Sequence, residues 1–313
     1  MTRGRAHLAN LDLNLLVALR ELIRERNVTR AAERIGITQP AASAALSRLR
    51  RHFGDELLVR GRGGYVPTPL AAQLDEQVEV VCAALERLFA TGKEFNPETS
   101  TREFTLLMAD YTVAVLGERF SRLVAEQAPR IGLHIRLVGE SLIADATESI
   151  RLIDGVISPP VNRFRIPEIS SMELFQDRWV CLVSADSPLP DAPDLDDLAG
   201  LDWVVPYHRD QGPPSAAPIP RQLALLGVRP RIAIRVESYR AVPHFLIGTN
   251  RIALLQERLA TQFADGAQLR MIDPPGHLEP VVEEFWWHRN FDDDPAHRWL
   301  RETLTAAAEP LRS

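Results

Sequence analysis

Between Val28 and Leu49 the chain carries two short apolar periodicities with almost nothing between them, and that spacing leaves few folds open. In VTRAAERI, Ala31, Ala32 and Ile35 are small or apolar on one side, Thr29 is a candidate N-cap, and Gly36 stands where a positive backbone angle is wanted. Thr38 can cap the next segment, Pro40 is tolerated in its first turn, and Ala42, Ala45, Leu46 and Leu49 form an inner stripe at helical spacing. Two short helices joined by a tight turn at Gly36-Ile37, with alanines where they must cross closely, predict a helix-turn-helix. A plain helical hairpin with a solvated face fits the same spacing. On the outer face of the second helix fall Gln39, Ser43, Ala44, Ser47 and Arg48, with Arg50 and Arg51 at its end.

The flanks extend this head. From Asp12 to Arg26, Leu15, Leu16, Leu19, Leu22 and Ile23 predict one amphipathic helix. Leu57-Leu58-Val59-Arg60 and Tyr65-Val66-Pro67 flank Gly61-Arg62-Gly63-Gly64, a hairpin with a basic tip. Such a tip suits a wing whose Arg60 or Arg62 enters a minor groove or binds phosphate, and equally a solvent turn. Gln39 can offer both amide groups to an adenine edge and Ser43 can serve either partner of a base pair, whereas arginines bind phosphate oxygens without reading sequence. Charge agrees with a polyanion partner: the net value of −6 divides into +6 over residues 1–66 and −12 over residues 67–313.

Composition narrows the chemistry. Lys93 is the single lysine beside 35 arginines. Followed by Glu94, it cannot complete a phosphate loop, and its place after Gly92 is a poor one for desolvating an amine. Cys82 and Cys181 are too far apart for a metal pair and read as buried small hydrophobes. The eight histidines form no metal-ligand spacing. Asp292-Asp293-Asp294, the densest acid run, reads as a solvated turn before Pro295. No enzyme activity, cofactor or metal is therefore expected. No apolar run approaches the ~18 residues of a bilayer span, and Asp12 and Arg20 break the leucine-rich start, so a cytoplasmic protein without membrane contact is expected.

From Thr68, Leu70, Leu74, Val78, Val81, Leu85 and Leu88 are spaced close to a heptad seam, a narrow stripe that needs either a partner helix or the chain's own body. KEFNPETST then reads as a polar hinge. Beyond it, strand-like stretches at 104–108, 135–138, 153–157, 179–183, 203–205, 232–236 and 252–254 alternate with helical ones, predicting a doubly wound α/β region with its ligand at strand carboxyl ends. Strand ends run into helix starts at Ala109-Asp110-Tyr111-Thr112, at Ile157-Ser158 and at Val236-Glu237-Ser238-Tyr239, before a helix containing Phe245. These offer donors to an anionic or polar group, and ordinary capped helices read the same way. Phe285, Trp286 and Trp287 suit a core more often than a ligand platform.

The segment Asp12–Pro69, with LNLLVAL, NVTRAAERIGITQPAASAALSRLRRHFGDELLVR and Pro67-Thr68-Pro69, strongly resembles the winged helix-turn-helix of LysR-type transcriptional regulators. Ser43-Ala44-Ala45 looks like the nodulation and nitroaromatic-degradation subgroup, although many members carry a longer polar side chain at the position of Ala44. REFTLLMADYT, DRWVCLVSADSPL, VPHFLIGTNRIALLQERLA and FWWHRN are similar to the effector domain of the same subgroup, with departures at Ser158, Ser187 and the insert Gln211–Pro220. The resemblance implies a winged head at 1–67, a dimerisation helix at 68–92, a hinge at 93–100 and a periplasmic-binding-protein-like effector domain at 101–313. Its lobe one would be about 101–176 with 278–313, and lobe two about 177–277.

The implied partners are double-stranded promoter DNA, a small-molecule effector, aromatic in this subgroup, and further copies of the chain as dimer or tetramer, with RNA polymerase a further candidate. Implied DNA contacts are Thr29, Arg30, Thr38, Gln39, Pro40, Ser43, Ser47, Arg48, Arg51, Arg60 and Arg62. Candidate effector contacts are Asp110, Tyr111, Thr112, Ser158, His208, Ser238, Phe245, Trp287 and His288. A solute-binding protein with no DNA function is the competing class, against which the basic head speaks.

Overall fold

The computed structural model describes residues 12–61, 64–90, 94–137, 150–160, 162–206, 219, 222–223, 227, 230–264 and 266–312. They form two compact units, Met1–Lys93 and Glu94–Ser313.

In the first unit, α1 (Asn14–Glu25), α2 (Val28–Ile35) and α3 (Gln39–Phe53) precede a hairpin of β1 (Leu58–Gly61) and β2 (Gly64–Pro67), and α4 (Pro69–Ala90) follows. Leu19, Leu22, Ala31, Ala45, Leu46 and Leu49 are buried together, so the alanines allow the close crossing that the spacing predicts. Asn27 rather than Thr29 caps α2: its Oδ1 accepts from the backbone N–H groups of Thr29 at 2.9 Å and Arg30 at 3.1 Å. Thr29 already lies inside the first turn, because the helix starts at Val28 and asparagine is the stronger cap. Gly36 ends α2 at φ +76°, and Thr38 caps α3.

The wing is fastened to α3 by Arg50, whose Nε and Nη2 donate to the carbonyls of Glu56 and Leu58, each at 2.8 Å. Asp55 accepts from Leu57 N and Thr68 Oγ1, both at 2.6 Å, and Thr68 in turn accepts from Ala71 N at 3.2 Å to cap α4. The apolar surface of α4 is wider than a seam. Ala71, Val78 and Cys82 are buried in the head's own core against α1 and Leu74 packs partly against it, which corrects the assignment of Val78 to a partner. Leu70 and Leu85 stay half-buried and Val81 is exposed, while the Leu88 side chain lies outside the described residues.

The second unit holds two five-stranded sheets, one per lobe. In lobe one the order is β4-β3-β5-β12-β6, formed by β3 (Glu103–Met108), β4 (Gly132–Leu137), β5 (Gly155–Ser158), β6 (Ile169–Asp177) and β12 (Val281–His288). In lobe two it is β11-β7-β10-β8-β9, formed by β7 (Trp179–Ser184), β8 (Asp202–Pro206), β9 (Arg231–Val236), β10 (Arg251–Gln256) and β11 (Leu269–Ile272). Helices α5 (Asp110–Gln127), α6 (Leu195–Ala199), α7 (Glu257–Ala264) and α8 (Pro295–Ala308) accompany them. The chain passes between the sheets at Arg178 and again at residues 273–280. β6, β11 and β12 are absent from the sequence reading, and their antiparallel pairing makes both sheets mixed rather than parallel throughout.

Packing explains several local choices. A Cβ at Gly155 would lie 2.2 Å from the Phe285 ring, so only glycine lets β5 pass β12 here. The acid run is structural rather than solvated: Asp294 caps α8 and pairs with Arg102 at 2.7 Å, while Asp292 accepts the Trp287 indole N–H at 2.7 Å. Glu283 is buried on β12 and accepts from Thr112 Oγ1 at 3.2 Å. Burial pushes its carboxyl up to about 8, from a usual 4.5.

Replacing Arg50 by Ala leaves two wing carbonyls without their charged donor and is expected to destabilise the head by about 2–3 kcal/mol, read by urea unfolding, with α3 helicity retained. Unchanged stability would remove the fastening role. The folded chain holds the Glu283 proton that the unfolded chain releases, so stability falls as pH rises from about 4.5 towards about 8. Relative to Glu283→Gln, the wild-type melting temperature should therefore decline steadily from pH 5 to pH 8. A gap independent of pH contradicts a neutral Glu283.

Candidate functional site

The outer face of α3 carries Gln39, Pro40, Ala44, Ser47, Arg48 and Arg51 exposed, with Ser43 half-buried between them. Gln39 Nε2 donates to Ser43 Oγ at 3.2 Å, and Ser47 Oγ donates to the Ser43 carbonyl at 3.0 Å. This ladder pre-orients the Gln39 amide and lowers the rotamer entropy that a base contact would cost. Arg48 Nη1 lies 3.3 Å from Asp12 Oδ2 and Arg30 Nε 3.6 Å from Glu25 Oε2, in pairs exposed enough to exchange for phosphate with little loss. Arg51 and Arg60 are exposed and have no ion pair among the described residues. Thr29 is exposed at the start of α2, and the Thr38 hydroxyl already serves its cap. Arg62 lies outside the described residues. Sequence reasoning placed Arg50 beside Arg51 on the outer face, whereas its guanidinium turns to backbone carbonyls, a difference of one helical position.

In the body, the first turn of α5 binds three separate segments. Asp110, buried, accepts from Ser238 Oγ at 2.6 Å, Tyr239 N at 3.1 Å and Arg240 N at 3.1 Å. Tyr111 OH donates to Asp177 Oδ2 at 2.7 Å, and Thr112 donates to Glu283. Burial and the neighbouring Asp177 and Glu283 carboxyls hold the Tyr111 phenol well above its ordinary range, and burial likewise raises Asp177. These side chains are therefore engaged within the protein, which corrects the reading of Tyr111 and Thr112 as open effector contacts: both point into the core.

Asp110 and Ser238 are brought together, but onto each other. Ser158 ends β5 with its hydroxyl on the Pro159 carbonyl at 3.1 Å. Phe245, on a short 3-10 turn rather than a full helix, is 38% exposed. Trp287 stacks on Phe285 at 5.4 Å and under Arg301 at 5.0 Å, and His288 Nδ1 accepts from Asn290 N, so both belong to the lobe-one core and not to a ligand surface. His208 and most of the insert Gln211–Pro220 lie outside the described residues. Asp177 and Glu283 escaped sequence reasoning, since a buried carboxyl and a solvated one look alike in a strand pattern. Cys82 and Cys181 are buried, and burial pushes the Cys181 thiol up to about 12.

Residues 13–72 match the family described as bacterial regulatory helix-turn-helix protein, lysR family, and residues 103–309 match the LysR substrate binding domain. Nodulation protein D 3 of Rhizobium leguminosarum bv. phaseoli is 34% identical over 306 residues, covering 96% of this chain and 98% of its own. The HTH-type transcriptional activator NahR of Pseudomonas putida is 31% identical over 304 residues, covering 95% and 97%. The crystal structure of probable transcriptional regulator PA0477 from Pseudomonas aeruginosa aligns with a TM-score of 0.74 at 29% identity, covering 96% and 98%. Full-length CbnR complexed with its target DNA aligns at 0.62 over 96% and 99%, and at 14% identity this likeness is one of fold alone. A solute-binding protein has no use for the matched head, and the relatives are regulators rather than enzymes. Matched in both its parts and along nearly its whole length, this chain belongs to the LysR family and is a DNA-binding transcriptional regulator with an effector-binding domain.

Proposed function

We propose that α3 lies in the major groove of promoter DNA, where Gln39, Pro40 and Ser43 read base edges while Ser47, Thr38 and Thr29 contact the adjoining backbone. Arg30, Arg48, Arg51, Arg60 and Arg62 meet phosphates or the minor groove. The observation that carries this reading is the uncharged, pre-bonded Gln39–Ser43 pair on a face whose arginines are exposed. Copies associate through the accessible part of α4, with Leu70, Leu74, Val81 and Leu85 the candidates. Dimeric heads would contact half-sites one helical turn apart or a multiple of it. The protein acts in the cytoplasm, where it meets RNA polymerase at the promoter. Among the described residues no helix is long and apolar enough to cross a membrane.

The effector, on this reading, is a small planar aromatic compound received where strand ends of the two lobes face each other. Phe245, partly exposed and following the Ser238 turn, supplies an apolar surface, and Ser158 a polar one. A ligand need prefer one lobe arrangement by only a few kcal/mol to shift promoter occupancy.

Gel shifts on the chain's own upstream region and on random DNA test the head. Gln39→Ala should weaken operator binding by about 1–3 kcal/mol and leave random DNA untouched, whereas Arg60→Ala should weaken both and flatten the salt slope by about one unit. Equal loss on both DNAs for Gln39→Ala ends the base-reading role. For the effector, a thermal-shift screen of the full chain with aromatic acids, phenols, sugars and amino acids should return shifts with aromatics. A shift confined to a sugar or an amino acid would sink the aromatic proposal.

A further inference from the structure

Ser238, Tyr239 and Arg240 sit at the carboxyl end of β9 in lobe two, and Asp110 sits at the carboxyl end of β3 in lobe one. Their contact therefore closes the mouth between the two sheets. Three donors converge on one carboxylate that is only 7% exposed. Among the described residues its charge is met by hydrogen-bond donors and not by an ion pair, so these are charge-assisted bonds in a largely dry place. The Ser238 hydroxyl is itself held, accepting from Ala241 N at 3.1 Å.

The other polar contacts of this turn behave differently when lobes move. Asp177, the partner of Tyr111, is the last residue of β6, immediately before the chain passes into lobe two at Arg178. A rotation about that crossing hardly changes its distances. β9 is three strand spacings from β7, where lobe two begins, which is about 14 Å. A rotation of ~10° about the crossing carries the Ser238 turn by roughly 2.5 Å, beyond hydrogen-bond reach of Asp110. Two other bonds join the lobes, Gln262 Nε2 to the Ala114 carbonyl at 3.2 Å and Arg258 Nη2 to the Leu311 carbonyl at 2.8 Å, but both come from the helix that starts beside the crossing. Of the contacts made by the first turn of α5, that of Asp110 is the one that lobe opening breaks, while the Tyr111 contact persists through it.

We infer that Asp110 and the Ser238–Arg240 turn form an interlobe latch. In the resting regulator the chain's own carboxylate holds the lobes shut, and release of this latch is the step that changes promoter output. Any effector entering between the strand ends acts against it.

Hydrogen exchange on the full chain reads the latch directly, since the Tyr239 and Arg240 amides are two of its donors. In Asp110→Ala and in Ser238→Ala, exchange of the Tyr239 and Arg240 amides should rise about tenfold or more, the factor expected for losing one charge-assisted bond, while β7 amides stay protected. In a reporter strain carrying the chain's own upstream region, both variants should shift output without added effector by at least threefold, in the same direction. The double variant should match Asp110→Ala, because the serine change removes one of the three bonds that the aspartate change removes. Should Asp110→Ala fail to fold, Ser238→Ala removes the same bond from the other lobe with a smaller truncation. Unchanged exchange at the Tyr239 and Arg240 amides in a folded variant overturns the latch, and faster exchange there with unaltered basal output overturns its regulatory role.

Discussion

Everything in the effector domain hangs on the fact that successive residues of an α-helix project about 100° apart. Because Asp110, Tyr111 and Thr112 are consecutive at the start of α5, one helical turn reaches three segments remote in sequence: the 238–240 turn, the end of β6 and the middle of β12. Each of the three bonds is buried or nearly so, which raises the cost of leaving any partner unpaired. This turn is thus a joint built from a carboxylate, a phenol and a hydroxyl. The Glu283 carboxyl stays protonated because Thr112 alone cannot offset full burial.

The head solves a different problem with a different residue. With lysine almost missing from the chain, arginine supplies both the bond that holds the wing and the exposed positive charge of α3. Depth separates the two: the fork of Arg50 spans the carbonyls of Glu56, just before the wing, and Leu58, in its first strand, whereas Arg51, one position on, remains outside. Below the wing, Asp55 holds Leu57, a non-glycine residue at φ +57°, through its N–H, and the same carboxylate orients the Thr68 cap of α4. The hairpin, α3 and α4 are therefore joined through side-chain to backbone contacts and not through an apolar core alone.

The legibility of the sequence follows from these physics. Periodicity revealed α1, α3 and the seven strands with apolar runs, and Gly36 and Thr38 marked helix ends, because such signals are local. β6, which mixes polar and apolar residues without alternation, and β12, with acids at positions 283 and 284, lack the period-2 sequence pattern of a half-buried strand. Asn27 and Thr29 are both capping types two residues apart, and residue type alone does not say which of them caps. In the candidate site, the residue types at 110–112 and 238 were right as polar groups at strand ends, yet their partners lie over 60 positions away, and no local pattern shows that a donor already has its acceptor. The seam of α4 misled for a similar reason: one apolar helix can serve two faces, and Val78 faces inward.

Strand β12 enters the lobe-one sheet between β5 and β6, although it is made about a hundred residues after them. During synthesis the Gly155 backbone and the inner edge of β6 must wait for Phe285 and its neighbours, while all five strands of lobe two emerge in the interval and can pair among themselves. Lobe two is thus the natural first folding unit, and lobe one a late one whose contacts are long in sequence and slow to form. A ribosome that stops short of residue 281 would release a chain with one finished lobe and two unpaired strand edges, a species prone to association.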